Sequence, residues 1–210
     1  MFNIILTSSL HNVGGHIAQH IDKSAKKFLF ILTASENAEG EKKWKIDDKK
    51  SLTDQGYDLE DYTITGKTAE EVENKLAGVD GIVMEGGNPF YLLQQIQLTK
   101  TAEVFKKFVS SGKYYIGSSA GAMVAGPDIY ASRGLDDVSE APQINGYEGL
   151  NLTDIAVQPH WGSDKFRDLY LNETVANLYT SGLKTVLLTD TQYLLVDVDK
   201  NIKIVDSACE

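Results

Sequence analysis

Short apolar runs alternate along this chain with longer, helix-compatible segments, and that alternation is its strongest constraint on fold. The runs occupy residues 2–6, 28–32, 81–84 and 114–116, and the segments include 17–27, 41–55, 68–76 and 89–109. A run that is apolar at every position buries both of its faces, which requires layers above and below the sheet. Strands separated by helices are joined by crossovers and so lie parallel. The expected fold is therefore a three-layer α/β sandwich with a mostly parallel sheet. The C-terminal "TVLLTDTQYLLVDVDKNIKIVD" reads differently, as antiparallel strands joined by turns at Thr189-Asp190 and Asp199-Lys200-Asn201. Between residues 127 and 149 the chain is irregular, rich in turn residues and charge. A stretch of that length within a compact domain is usually functional or flexible.

The 210 residues fit one domain, 1–210, large enough to bury roughly 70% of its unfolded surface. A formal charge of −10 argues against nucleic acid or an anionic membrane as partner. Cys209, the single cysteine, cannot form an internal disulfide. The opening "MFNIILTSSL" has no basic flank, and its apolar run is too short for a signal peptide or a membrane span. A cytoplasmic protein, monomer or homodimer, is expected.

Residues 117–121 spell Gly-Ser-Ser-Ala-Gly, a G-x-S-x-G pattern centred on Ser119. An apolar run precedes it and a helix-compatible segment, 120–125, follows. This is the context of a nucleophile elbow, although a plain strand-to-helix turn has the same composition. In an elbow the following helix aims backbone N–H groups at an oxyanion beside the serine. Serine then needs a base. Of the four histidines, His16 and His20 are spaced to share a metal, but no acidic or cysteine ligand completes a set. Neither metal nor cofactor is expected. His160, in "IAVQPHWG", follows a strand-like run and can project from a sheet end. For the orienting carboxylate, Asp128, Asp136, Asp137, Glu140 and Glu148 lie between serine and histidine, and Asp136 or Asp137 could fold back over the elbow. Upstream, "GIVMEGGNPF" runs a buried strand into two glycines, with Asn88 as helix cap and Pro89 at the first helical position. A glycine N–H there could supply a second oxyanion donor.

With the "GGNPF" turn, the "GSSAGA" elbow and the "PH" pair in this order, the chain resembles the peptidase E family of serine peptidases. These are aspartyl dipeptidases whose relatives include cyanophycinase. The resemblance implies a flavodoxin-like sheet, as in class I glutamine amidotransferases, and cleavage of dipeptides after an N-terminal aspartate. It implies Ser119 as nucleophile, His160 as general base and Asp136 as the best-aligned acid. Gly87 and Ala120 become the oxyanion donors. Asn88 and Arg133 are the expected substrate-binding residues, Arg133 because it is one of two arginines and lies in the loop between elbow and acid. Pro89, in place of a hydroxyl residue, and Glu85 depart from the family pattern. The competing readings are an esterase of another acyl-hydrolase type and a non-catalytic small-molecule binding protein on the same fold.

Overall fold

The computed structural model describes residues 2–40 and 42–209. Glu41, which opens one expected helical segment, lies outside them. In chain order the elements are β1 (Phe2–Thr7), α1 (Leu10–Ile17), β2 (Lys27–Ile31), α2 (Lys43–Thr53), β3 (Asp58–Tyr62), α3 (Ala69–Leu76), β4 (Gly81–Met84), α4 (Pro89–Thr99), α5 (Ala102–Ser110), β5 (Tyr114–Ser118) and α6 (Ala120–Val124). There follow β6 (Ala156–Gln158), a helical stretch over 164–181, β7 (Thr185–Leu187), β8 (Gln192–Asp197) and β9 (Ile202–Asp206).

Seven strands form one sheet in the order β3-β2-β4-β5-β1-β8-β9. The first five are parallel, while β8 and β9 are antiparallel additions beside β1. Alternate strand side chains point to opposite faces, and both faces are covered, as the apolar runs required. Ile4, Leu6, Leu29, Ile31, Ile82 and Met84 enter a core shared with α3, α4, α5 and α6. Ile5, Phe28, Phe30, Val83 and Ile116 enter the other, shared with α1 and α2. The layers are those of a flavodoxin-like α/β sandwich.

The helices start where local chemistry dictates. Thr68 and Glu71 form a reciprocal capping box on α3. Asn88 caps α4 by accepting from the Phe90 and Tyr91 N–H groups, with Pro89 in the first turn.

Four expectations need correction. The first helix spans Leu10–Ile17 and not 17–27, because the chain turns into it directly from β1. The 89–109 segment is two helices, broken where Lys100 adopts a left-handed φ of 57°. The acidic "DLEDY" of β3, which lacks an apolar run, forms an edge strand that the hydrophobic pattern did not reveal. Finally, β7 does not pair with β8. It lies parallel to β6 in a separate two-stranded sheet, and only β8 and β9 form the expected hairpin. Among the described residues no helix is long and apolar enough to cross a membrane.

Candidate active site

Ser119 stands between β5 and α6 with φ 48° and ψ −108°, a conformation that L-residues seldom adopt. Packing holds it there. A β-carbon on Gly117 would lie 2.6 Å from the Gly121 carbonyl oxygen, and one on Gly121 would collide with the Met84 carbonyl. The Ser119 N–H donates to the Thr7 carbonyl at 3.0 Å, tying the turn to β1. The pentapeptide is thus a strained elbow: its flanks are small because backbone from α6 and β4 fills the space a side chain would need. Gly121→Ala is expected to destabilise the fold by at least about 2 kcal/mol, read as a lower urea midpoint at unchanged slope.

Ser119 Oγ lies 3.0 Å from His160 Nε2. His160 follows β6 with φ 63°. The His160 ring stacks on Phe166 at 4.8 Å between centroids, and the His160 backbone N–H donates to Ser8 Oγ at 2.6 Å. On the far side of the ring, Nδ1 lies 2.7 Å from Asp190 Oδ1, which also accepts from Ser8 Oγ at 2.6 Å. Nδ1 therefore carries the proton, and Nε2 is left to accept from Ser119. Burial pushes the Asp190 carboxyl up, but the bonds from His160 and Ser8 outweigh it and leave the group below its ordinary value.

The sequence expectation placed Asp136 against this histidine, and the structure does not. The bonded carboxylate is Asp190, which sequence reasoning treated only as a turn residue. Its position follows from topology. Because β8 runs antiparallel to β1, with Thr7 opposite Tyr193, the turn preceding β8 sits at the edge where the parallel strands end. Asp136 lines the same cavity, but no protein group hydrogen-bonds its carboxylate among the described residues. Burial raises it to about 7, opposed by His160 and Lys165 and reinforced by Glu140. Its neighbour Asp137 is exposed and accepts from the Ser139 N–H.

The cavity measures about 460 Å³ and runs over the C-terminal edge of the sheet, within the size range of small-molecule sites. Gly86, Gly87 and Asn88 line it from the end of β4. Gly87 has φ 137°, and a β-carbon there would strike the Ala34 carbonyl, so only glycine fits. No protein acceptor takes the Gly87 or Ala120 N–H among the described residues. Asn88 is occupied structurally: besides capping α4, its amide donates to the Asp137 carbonyl at 2.7 Å and anchors the irregular loop. Arg133 is exposed, lies outside the cavity lining and stacks its guanidinium 3.6 Å above the Tyr130 ring. The lysine that does line the cavity is Lys165. His16 and His20 do not share one helix, since α1 ends at Ile17 and His20 Nε2 lies 3.0 Å from the Tyr193 hydroxyl. Among the described residues no group of three or more His, Cys, Asp or Glu is arranged to hold a metal ion.

Glu85 is fully buried beneath the site, and its Oε1 has no hydrogen-bond partner among the described residues. Burial raises it from 4.5 to about 8, against a lowering contact from Ser35 at 2.8 Å. Between those values the folded chain keeps a proton that the unfolded chain releases. Stability should therefore fall as pH rises through that window and level off above about 8. Glu85→Gln is expected to flatten that slope in denaturation curves measured between pH 5 and 8.5.

The profile of peptidase family S51 matches residues 4–204. The chain is 32% identical over 178 residues to the uncharacterized peptidase PM1590 of Pasteurella multocida, covering 84% of each protein. It is 28% identical over 170 residues to a peptidase E of a Nostoc species, covering 75% of this chain and 65% of that one. A crystal structure of a candidate peptidase E protein from Listeria monocytogenes superposes with a TM-score of 0.88 at 27% identity, covering 98% of each chain. The chain belongs to peptidase family S51 and is a serine peptidase.

Proposed function

We propose that the chain is an exopeptidase that hydrolyses short peptides from a free N-terminus, foremost dipeptides beginning with aspartate, through an acyl-enzyme. The observation that carries this reading is the unbroken chain from Ser119 Oγ through His160 to Asp190, opening into a cavity of small-molecule size. Ser119 Oγ attacks the scissile carbonyl carbon as its proton passes to His160 Nε2. Asp190 stays ionised, holds the Nδ1–H tautomer and stabilises the imidazolium. The oxyanion is received by the N–H groups of Gly87 and Ala120. When the C–N bond breaks, His160 returns its proton to the departing amine, and water then hydrolyses the acyl-enzyme by the same route.

Two charged groups support the N-terminal specificity. Among the described residues no protein group donates to the Asp136 carboxyl, and it lies close enough to His160 to be influenced by its charge, so its ionised form suits the substrate's α-ammonium. Lys165 takes the part that sequence reasoning gave to Arg133, meeting the β-carboxylate of an N-terminal aspartate. Because Lys165 is exposed, its contact is worth less than a buried one. Cleavage of Asp-Leu and Asn-Leu is the test. Wild type is expected to prefer Asp-Leu in kcat/KM, and Lys165→Met to lower that preference by about two- to fivefold, the worth of an exposed ion pair. Equal cleavage of both peptides by wild type would reject aspartate as the preferred residue.

A further inference from the structure

A second carboxylate-backed imidazole faces the cavity, and the mechanism above does not use it. His11 Nδ1 lies 2.8 Å from Asp48 Oδ1, which also accepts from the His11 N–H at 2.9 Å. Asp48 is buried, and its other oxygen accepts from Ser118 Oγ at 3.0 Å, one residue before the nucleophile. The ring is thus fixed by the elbow, yet the His11 side chain keeps 36% of its surface exposed. With Nδ1 bound to Asp48, Nε2 is the nitrogen left for a ligand; among the described residues its one hydrogen-bond contact is Ser9 Oγ at a marginal 3.5 Å.

The two ends of the cavity lining come from opposite layers. His11 and Asp48 belong to α1 and α2, which pack on one face of the sheet. Asp136 belongs to the irregular loop, whose Leu135 and Val138 pack on the other. Ser119 lies at the sheet edge between them. If the α-ammonium lies at Asp136, the residue leaving across Ser119 extends toward His11. In a dipeptide that residue carries a free carboxylate.

We propose that His11, held by Asp48, binds the C-terminal carboxylate of the leaving residue through Nε2–H and so selects dipeptides over longer or amidated peptides. This rests on the reading of the cavity as a peptide-cleaving site. A group reading a carboxylate must carry a proton on Nε2. Asp48 raises the proton affinity of His11 through its hydrogen bond; burial lowers it, and the charges of Asp48, Asp47 and Asp190 raise it further. Those carboxylates are the acidic groups acting on it from α2 and from the turn before β8.

The experiment compares Asp-Leu with Asp-leucinamide, binding measured by calorimetry to Ser119→Ala, with and without His11→Gln. The free acid is expected to bind about tenfold more tightly than the amide at pH 6. That advantage should vanish in His11→Gln and shrink at high pH as the imidazolium is lost. Because His11→Gln could loosen α1, the His11 ring signal is also followed by NMR in the Ser119→Ala protein. Its titration midpoint should rise with Asp-Leu and not with the amide. Equal binding of acid and amide, or a preference that survives His11→Gln, overturns the assignment. Cleavage of both peptides at equal kcat/KM by the unaltered enzyme would also remove His11 while leaving peptide cleavage standing. Absence of any cleavage would reject the catalytic reading instead, and the binding comparison would still decide for or against His11.

Discussion

Ser119→Ala is expected to lower kcat on the order of 10⁴-fold or more while leaving the thermal midpoint nearly unchanged. Oγ is the atom 3.0 Å from His160 Nε2, and among the described residues no other hydroxyl hydrogen-bonds that nitrogen. Alanine keeps the β-carbon that packs against Gly86 and removes only the partly exposed hydroxyl. The strained backbone persists, because the close approaches at Gly117 and Gly121 impose it. Ser118→Ala separates this effect from general damage to the elbow. Ser118 Oγ donates to Asp48 and accepts from the Leu10 N–H, so its loss should cost stability and leave turnover within about tenfold.

Asp190→Asn and Asp136→Asn should fail in different ways. Asparagine at 190 keeps the shape but offers an amide donor or a neutral oxygen to His160 Nδ1, which destabilises both the working tautomer and the imidazolium. A fall in kcat of roughly 10⁴-fold with little change in KM is expected. Asp136→Asn leaves that relay intact and removes only the group proposed to meet the substrate amine. KM for free dipeptides should rise about tenfold or more, with a smaller effect on kcat. Wild-type 1/KM should itself rise with pH through about 7, because only the ionised Asp136 attracts an ammonium. Asp136→Asn should lose that rise. If Asp136→Asn were the variant with collapsed kcat and Asp190→Asn retained turnover, the roles would be reversed.

The elbow, its histidine and the glycine turn were legible in the sequence because each is a local event. Gly-Ser-Ser-Ala-Gly must turn sharply whatever surrounds it, and Asn88-Pro89 must begin a helix. Asp190 was not legible, because its role depends on strand direction. The hairpin formed by β8 and β9 could be read from its turns, but not the fact that β8 pairs antiparallel with β1. Only that pairing brings the preceding turn to the catalytic edge, thirty residues beyond the histidine. Of the carboxylates between serine and histidine, Asp136 does reach the cavity, but among the described residues no proton donor meets it there. Arg133 shows the same limit at shorter range. A loop position beside the elbow does not fix which way a side chain points, and the Tyr130 ring holds this one outside the cavity. The β3 strand was hidden for a different reason: at a sheet edge, pairing to β2 alone sustains a strand with one buried residue, Leu59.

Ser119 is read as the activated nucleophile, with Asp190 behind its histidine. A diaryl phosphonate, which transfers its phosphoryl group to an activated serine and expels a phenoxide, tests it most directly when read by mass spectrometry of the digested protein. One adduct is expected, on the peptide bearing Ser119, absent from Ser119→Ala and strongly slowed in Asp190→Asn. An adduct on Ser118 or elsewhere, or unimpaired labelling of Asp190→Asn, would contradict it.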